Sequence, residues 1–121
     1  MKKILIVEDD PFIVDIYAAQ LRGQGYWVDT ANTGELALEK IKQSFPDLLL
    51  LDLILPGIDG WEVLKNLRQD PRTKELKVMV ISNLNQKDNA DNIANFNVTK
   101  YFLKIQTTPK EISDAVKELI G

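Results

Sequence analysis

Apolar stretches of strand length alternate with amphipathic stretches of helical length along the chain, and the alternation occurs five times. The most apolar segment, LLLLDLILPGIDG, begins with four consecutive leucines. A half-exposed strand would alternate apolar and polar residues, whereas a strand covered by helices on both faces does not. The pattern therefore predicts an α/β domain with a parallel sheet and crossover helices. The predicted strands cover residues 2–8, 26–31, 47–52, 77–82 and 100–104.

Capping residues indicate where the first two helices begin. Asp10 before Pro11 is typical of an N-cap followed by proline in the first turn, where the missing N–H costs nothing. We therefore assign Asp10 mainly to capping. Asn32 with Glu35 three residues later resembles a capping box, which would open the second helix.

Similar signals precede the third and the last helix. Asp59 with Gly60 indicates a turn and a cap, and Thr108, Pro109 and Glu111 combine cap, proline and box acid. The predicted inward faces are Phe12, Ile13, Ile16, Tyr17 and Leu21 in the first helix, Leu36, Leu38 and Ile41 in the second, Val63, Leu64 and Leu67 in the third, and Ile112, Ala115, Val116 and Leu119 in the last.

The segment between Gln86 and Asn97, QKDNADNIANFN, differs from the other helical stretches. It is rich in asparagine, a poor helix former, and has only Ile93 and Phe96 as large apolar anchors. We predict that the fourth helix forms here and that it is the least stable element of the fold.

Composition narrows the chemistry. A length of 121 residues suits one domain with a single core, so we expect one domain over residues 1–121 and no output domain. Cysteine and histidine are both absent, which excludes disulfides, thiolate metal sites and the commonest general base. Any bound metal would need oxygen ligands, and hard cations such as Mg²⁺ prefer them.

Charge and hydropathy argue against two classes of partner. A formal charge of −3 without a long basic run is unfavourable for direct binding to nucleic acid. No apolar stretch approaches the roughly 20 residues that a membrane-spanning helix needs. The N-terminal lysines are followed by an acidic cluster rather than by a signal-peptide cleavage site. We therefore expect a cytoplasmic protein with no direct nucleic-acid or membrane partner.

Several polar side chains lie at the carboxyl ends of the predicted strands, the edge at which open doubly wound sheets bind their ligands. They are Glu8, Asp9 and Asp10 after the first strand, Asp52 at the end of the third, Ser82 at the end of the fourth and Lys104 at the end of the fifth. A right-handed crossover places the first and third strands side by side, so three or four carboxyl groups should converge. Such a cluster needs a cation, and Mg²⁺ usually keeps a place for a phosphoryl oxygen.

Asp52 is the candidate nucleophile of this cluster. An oxygen of Asp52 would attack phosphorus while Mg²⁺ and the ammonium of Lys104 take up charge on the transferred group. Ser82 would supply a hydroxyl donor to the same group. The residues therefore favour phosphoryl transfer to an aspartate.

With these residues in place, the chain resembles the receiver domain of a two-component response regulator over essentially all of its length. The motifs ILIVEDDP, LLLDLILPGIDG, VMVIS and YFLK occur in the family's order and spacing. The resemblance implies a flavodoxin-like (βα)5 fold with a five-stranded parallel sheet in the order 2-1-3-4-5. It also implies a CheY-like phosphoprotein switch rather than an enzyme with a separate substrate, phosphorylated by a sensor histidine kinase or a phosphotransfer protein.

The resemblance also implies the metal site. Glu8, Asp9 and Asp52 would hold Mg²⁺ or Mn²⁺ together with the backbone carbonyl of Ile54. Asp52 would be both a metal ligand and the phosphoacceptor.

The same resemblance implies roles for three further residues. Ser82 would be the switch hydroxyl, Tyr101 the switch aromatic and Lys104 the lysine that pairs with the phosphoryl group. Phosphorylation would change the surface of the fourth helix, the fifth strand and the fifth helix, and this surface would control a partner protein. From its residue type alone, Tyr101 is also explained as a half-buried packing residue.

The chain departs from the family's pattern in three respects. Ile105 follows Lys104 where proline across a cis bond is usual, and a cis bond before a residue other than proline costs about 2.5–4 kcal/mol. The sequence leaves open whether this bond is trans with a reshaped loop or cis. Asn83 stands where a small residue is usual, which would narrow access to the phosphoryl group. Ile54 and Leu84 flank the route of the attacking water, so we expect slow hydrolysis that Ile54→Asn with Leu84→Glu would speed up.

Three other functions remain open. A Mg²⁺-dependent aspartyl-phosphate phosphatase would need a second acid two residues after its nucleophile, where this chain has Ile54. A flavin-binding module would need a loop rich in Ser, Thr and Gly after the first strand, where this chain has EDDPF. A receiver-like interaction module that is never phosphorylated is compatible with Asn83 and Ile105, although the complete set of site residues argues against it.

Overall fold

The computed structural model of the protein describes residues 1–121 and contains one sheet of five parallel strands. The strands are β1 (Lys3–Val7), β2 (Trp27–Ala31), β3 (Leu48–Leu51), β4 (Lys77–Ser82) and β5 (Lys100–Leu103). Their order across the sheet is β2-β1-β3-β4-β5, which confirms the predicted flavodoxin-like topology. The predicted strands extend at most one residue beyond the observed ones at either end.

Five helices connect and follow the strands. They are α1 (Pro11–Gly23), α2 (Gly34–Gln43), α3 (Gly60–Gln69), α4 (Ala90–Asn95) and α5 (Pro109–Ile120), with short 3₁₀ turns at Lys87–Asn89 and Lys104–Gln106. The predicted caps at Asp10 and Asp59 are confirmed, because each side chain accepts hydrogen bonds from backbone N–H groups of the helix that follows. The capping box of Thr108 with Glu111 is also confirmed. None of the helices combines the length and the apolar character that crossing a membrane requires.

Alternate residues of the central strands form two separate cores, one on each face of the sheet. Ile4 and Ile6 of β1 pack with the buried residues of α1 and α5, whereas Leu5 and Val7 pack with those of α2 and α3. All four residues of β3 are buried in the same alternating way. The run of leucines is therefore explained by a strand covered on both faces, as predicted.

Two details of the predicted helices are wrong. Helix α2 is capped by Thr33, whose hydroxyl accepts from Leu36 N–H at 3.1 Å, rather than by Asn32. Glu35 is then the second helical residue, one position too early to complete a capping box. In α1, Phe12 and Ile16 are 79% and 52% exposed, because the helical rotation of about 100° per residue takes both away from the buried side chains.

Helix α4 is the shortest of the five helices and buries none of its residues fully. No side chain caps its N-terminus. Its C-terminus is better held, because Phe96 stacks on Trp61 with ring centroids 6.1 Å apart and the Phe96 carbonyl accepts from Arg68 Nε at 2.8 Å. The helix is thus anchored at one end only.

Candidate functional site

The carboxyl ends of β1 and β3 hold two acidic residues next to each other. Val7 pairs with Leu51, so Glu8 and Asp52 are the next residues along neighbouring strands. The N–H of Asp52 donates to the Val7 carbonyl at 2.9 Å, and the N–H of Glu8 donates to the Ala31 carbonyl at 3.0 Å. These bonds extend the strand ladders by one residue and fix the backbones from which the two carboxylates project.

Three carboxylates converge at this edge, as the sequence predicts. One oxygen from each of Glu8, Asp9 and Asp52 lies within 4.8 Å of the other two. Glu8 and Asp52 are only 4% and 5% exposed, whereas Asp9 is open to solvent. The carboxylate of Asp10 does not join them, because it accepts from Phe12 N–H at 2.9 Å and caps α1.

Lys104 reaches the buried carboxylates from the end of β5. Its Nζ lies 2.6 Å from Glu8 Oε1 and 2.8 Å from Asp52 Oδ2, and its side chain is 16% exposed. One ammonium therefore faces three carboxylates, which leaves an excess of negative charge with oxygen ligands only. This donor set fits a hard divalent cation, and Glu8, Asp9 and Asp52 could hold one.

The electrostatics of the cluster reflect that imbalance. Burial raises the pKa of Glu8 and the nearby charge of Asp52 adds to the increase, although hydrogen bonds from Lys104 and from Asp10 N–H oppose it. Burial by itself would lower the pKa of Lys104, but its hydrogen bonds to Asp52 and Glu8 outweigh burial and raise it. The Lys104 ammonium thus stays charged without fully compensating the burial of the Glu8 carboxylate.

The loop after β3 is held closely against the site. The second carboxylate oxygen of Asp52, Oδ1, accepts from Ile54 N–H at 3.2 Å. Gly60, the first residue of α3, donates its N–H to the Leu53 carbonyl at 2.9 Å. A Cβ at Gly60 would lie 2.6 Å from the Asp52 carbonyl oxygen, so only glycine allows this approach. The Ile54 side chain is 56% exposed beside the cluster.

Ser82, Leu84 and Tyr101 form a hydrogen-bonded chain beside the cluster. Ser82 is fully buried, and its Oγ accepts from Leu84 N–H at 3.3 Å. The Tyr101 hydroxyl donates to the Leu84 carbonyl at 2.7 Å. Burial raises the pKa of Tyr101 and the charge of Asp52 adds to the increase, while the Ser82 side chain opposes it. Tyr101 is half-buried and packs against the core, so its position links the loop after β4 to β5.

Asn83 and Ile105 lie farther out, at the mouth of the site. The Lys104–Ile105 peptide bond is trans, which answers the question that the missing proline raised. Residues Lys104–Gln106 form a 3₁₀ turn, and the N–H of Ile105 donates to Asn83 Oδ1 at 3.1 Å. The Asn83 side chain is therefore directed at the Ile105 backbone.

Tyr17 is a neighbour of the site that sequence reasoning treated only as a core residue. It lines a small cavity together with Glu8 and Asp52. Burial raises the pKa of its hydroxyl, with the charge of Lys104 acting in the opposite direction. A tyrosine within an otherwise apolar helix face was the available signal, because its hydroxyl must lie near polar groups or solvent.

Comparison with known proteins identifies one family that matches the chain over nearly its whole length. The response regulator receiver domain family matches residues 4–117. The DNA-binding dual master transcriptional regulator RpaA of Synechocystis sp. is 41% identical over 86 residues, which cover 71% of this chain and 36% of RpaA. This chain thus spans about a third of the length of that relative.

Solved structures agree with this comparison. A CheY-like response regulator receiver domain protein from Methanospirillum hungatei has a TM-score of 0.89 and 30% identity, covering 98% of this chain and 92% of that one. The BeF3-activated N-terminal receiver domain of RstA from Klebsiella pneumoniae has a TM-score of 0.86 and 30% identity, covering 98% of this chain and 97% of that one.

Proposed function

Because the chain belongs to the response regulator receiver domain family, we propose that residues 1–121 form one switch domain that accepts a phosphoryl group on Asp52. The main support for this proposal is the position of the Asp52 carboxylate. Asp52 is 5% exposed, its Oδ2 lies 2.8 Å from Lys104 Nζ, and its carboxylate lies beside those of Glu8 and Asp9. A carboxylate so placed has a cationic partner for the phosphoryl oxygens and acidic neighbours for a metal. Receiver domains are signalling domains and are generally not classed as enzymes.

The residues that would hold the metal are Glu8, Asp9 and Asp52, with the carbonyl of Ile54 as a further ligand. Receiver domains bind Mg²⁺ at an acidic pocket, and the oxygen-only donor set of this chain fits Mg²⁺ or Mn²⁺. When bound, the cation neutralises charge on the phosphoryl oxygens. The exposure of Asp9 leaves one side of the cluster open to water and to an incoming phosphoryl group.

In the transfer step, an Asp52 carboxylate oxygen forms a bond to phosphorus as the bond from phosphorus to the donor breaks. The donor leaves with the electron pair of that bond, as acetate from acetyl phosphate or, from a phosphohistidine whose other ring nitrogen is protonated, as neutral imidazole. Lys104 is already bonded to Asp52 Oδ2, so its ammonium needs only a small shift to pair with a phosphoryl oxygen.

The response would begin at Ser82. Its oxygen accepts a long hydrogen bond from Leu84 N–H, at 3.3 Å, and its O–H can donate to a charged phosphoryl oxygen, so a turn of the side chain toward that oxygen would give up only this weak bond. Movement of Ser82 would pull on the loop at Leu84, to which Tyr101 is also bonded. The surface of α4, β5 and α5 would then change by a shift in population, which needs a few kcal/mol of preference for one state.

Four exposed apolar residues on elements at the carboxyl edge of the sheet form an apolar rim that suits docking of a protein phosphodonor such as a histidine kinase. Phe12, Ile16, Ile54 and Ile105 are between 52% and 79% exposed and lie on α1 or on loops at the carboxyl edge of the sheet. Phe12→Ser should slow transfer from a phosphohistidine-carrying protein without slowing transfer from acetyl phosphate. Equal slowing with both donors would contradict docking at this rim.

The proposal is tested by intact mass spectrometry after incubation with acetyl phosphate and Mg²⁺, beside an Asp52→Asn control. One phosphoryl adduct on the native chain, absent from Asp52→Asn and from a sample with a chelator, is the expected result. An adduct that persists in Asp52→Asn would place the nucleophile elsewhere. The absence of any adduct although Mg²⁺ binds would favour a receiver-like module that is never phosphorylated.

A further inference from the structure

Asn83 and Ile105 join two strands beyond the end of the sheet. The last paired residues of β4 and β5 are Ser82 and Leu103. The hydrogen bond from Ile105 N–H to Asn83 Oδ1, at 3.1 Å, adds one more link after that pair. Because both residues are exposed, this link is a surface contact that can open without disturbing the core.

Lys104 is the residue enclosed by this link. It lies between Leu103, which pairs with β4, and Ile105, which Asn83 holds. Packing alone fixes this stretch poorly, since every residue of β5 is only half-buried, whereas the strands that carry Glu8 and Asp52 are buried. The backbone of Lys104 therefore depends on local hydrogen bonds more than the backbones of the acidic residues do.

The link needs a residue other than proline at 105 and a side-chain acceptor at 83. A proline at 105 would have no N–H to donate, and an alanine or glycine at 83 would have no side-chain acceptor. The two residues at which this chain departs from the family's pattern, Asn83 and Ile105, thus form one structural feature. In it, the asparagine side chain restrains the backbone that the ring of a proline at 105 would otherwise restrain.

We propose that Asn83 is a positioning residue that acts through the Ile105 N–H to hold Lys104, so that the ammonium reaches Asp52 and the incoming phosphoryl group. The inference rests on the proposed function for its kinetic consequence. It differs from the expectation that Asn83 only narrows access, because the side-chain oxygen is bonded to the backbone after Lys104.

The test is a double-mutant cycle between Asn83→Ala and Lys104→Met, with the rate of phosphorylation by acetyl phosphate and Mg²⁺ followed by intact mass. Asn83→Ala alone should slow the reaction about two- to tenfold, the range that one hydrogen bond supports. In the Lys104→Met background the same substitution should have no effect, because there is no ammonium left to position. Asn32→Ala is the matched control, since Asn32 is exposed beyond β2 at the far edge of the sheet.

Two kinetic outcomes would overturn the inference. If Asn83→Ala accelerates phosphorylation, the side chain restricts access. If it slows phosphorylation equally with and without Lys104, Asn83 acts by another route.

Amide exchange supplies a readout that does not depend on phosphorylation or on the folding of Lys104→Met. Exchange at the Ile105 amide should become faster in Asn83→Ala and stay unchanged in Asn32→Ala, and an unchanged rate in Asn83→Ala would overturn the inference. If the native chain is not phosphorylated at all, the proposed function fails, while this exchange measurement still decides whether Asn83 holds the turn.

Discussion

The two halves of the carboxyl edge are built differently. One half, which we term the packed half, consists of β1, β3 and α3; the other, the thin half, consists of α4 and β5. The four residues of β3 are all buried, whereas the four of β5 are all only half-buried. Helix α3 buries four of its ten residues, whereas α4 has six residues and buries none.

This difference separates two requirements of a switch. A nucleophile must be held in one geometry, and Asp52 lies at the end of the most buried strand. A responding surface must change its arrangement at a small free-energy cost, and the thin half has little packing to break. Lys104 is the ionic contact between the thin half and the acidic cluster, because it extends from the end of β5 to Glu8 and Asp52.

Removing that contact should have the largest effect. Lys104→Met leaves Glu8 and Asp52 buried together without a cation, so we expect the free energy of unfolding to fall by about 3 kcal/mol in the absence of Mg²⁺. Added Mg²⁺ should restore more stability in this variant than in the native chain, because it replaces the missing positive charge. Urea unfolding with and without Mg²⁺ measures both effects.

Lys110→Met is the matched control for that substitution. Lys110 pairs with Asp114 on the exposed surface of α5, where its side chain is 79% exposed. Such pairs contribute about 0–1 kcal/mol. If Lys110→Met lowers the free energy of unfolding as much as Lys104→Met does, the ion pairs of Lys104 with Glu8 and Asp52 contribute no more to stability than an exposed surface pair.

Within the packed half, Gly60→Ala should disturb the loop that carries the nucleophile. The new Cβ would lie 2.6 Å from both the Asp52 carbonyl oxygen and the Leu53 Cα, so the backbone must shift. We expect a loss of about 1–3 kcal/mol, typical of overpacking, together with slower phosphorylation. Gly23→Ala is the control, because nothing lies within 4 Å of its Cβ. Equal stabilities of the two variants would contradict the close approach of α3 to β3.

Ile54→Asn should alter the lifetime of the phosphorylated form without affecting the fold. Ile54 is 56% exposed beside Asp52, so its substitution leaves the core intact, whereas Leu84 packs against the core and its replacement by glutamate carries a structural cost. An amide at 54 would orient water that isoleucine excludes, and dephosphorylation should be severalfold faster. The decay of the intact-mass adduct measures the lifetime. An unchanged or longer lifetime in Ile54→Asn would disprove the water-exclusion argument.

The smallest effect is expected far from the site, at Asp29 and Lys40. Partial burial would raise the pKa of Asp29, but hydrogen bonds from Lys40 and from Thr30 N–H outweigh it and lower the pKa. The lowered value means that the pair stabilises the fold above the ordinary pKa of aspartate, and that this contribution disappears as the pH falls through the folded-state value. Lys40→Met should therefore lose a few tenths of a kcal/mol more near pH 7 than at acidic pH, where Asp29 becomes neutral and the bond from Lys40 Nζ to the Thr30 carbonyl, at 2.6 Å, is what the substitution still removes. Urea unfolding at a series of pH values from 7 downward measures this, and a loss that stays the same at every pH would show that charge is not the cause.

The packed half was predictable because burial on both faces leaves a direct signature in the sequence. The leucines of β3, the acids after β1 and the N-cap of α3 follow local rules, and the structure has them where the sequence predicts; the same holds outside this half for the N-caps of α1 and α5. Two predictions about helices α1 and α2 were wrong. Thr33 rather than Asn32 caps α2, and the exposed positions of Phe12 and Ile16 follow from how α1 rests on the sheet, which residue type does not encode.

The thin half was less predictable because its contacts join distant segments. The weakness of α4 could be inferred from its asparagines, and the structure gives it no buried residue. The bonds of Tyr101 to the Leu84 carbonyl and of Ile105 to Asn83 span 17 and 22 residues, and no spacing rule predicts such pairs. The missing proline at 105 indicated an unusual loop, but only the fold brings its free N–H to Asn83.

The central claim is that chemistry in the packed half changes the thin half. It is tested most directly by amide hydrogen exchange with and without beryllofluoride, a phosphoryl mimic, in the presence of Mg²⁺. We predict altered exchange across Ala90–Asn95 and Lys100–Leu103, with Leu48–Leu51 and Gly60–Gln69 unchanged. Bound beryllofluoride with no change in the thin half, or with an equal change in both halves, would contradict the account.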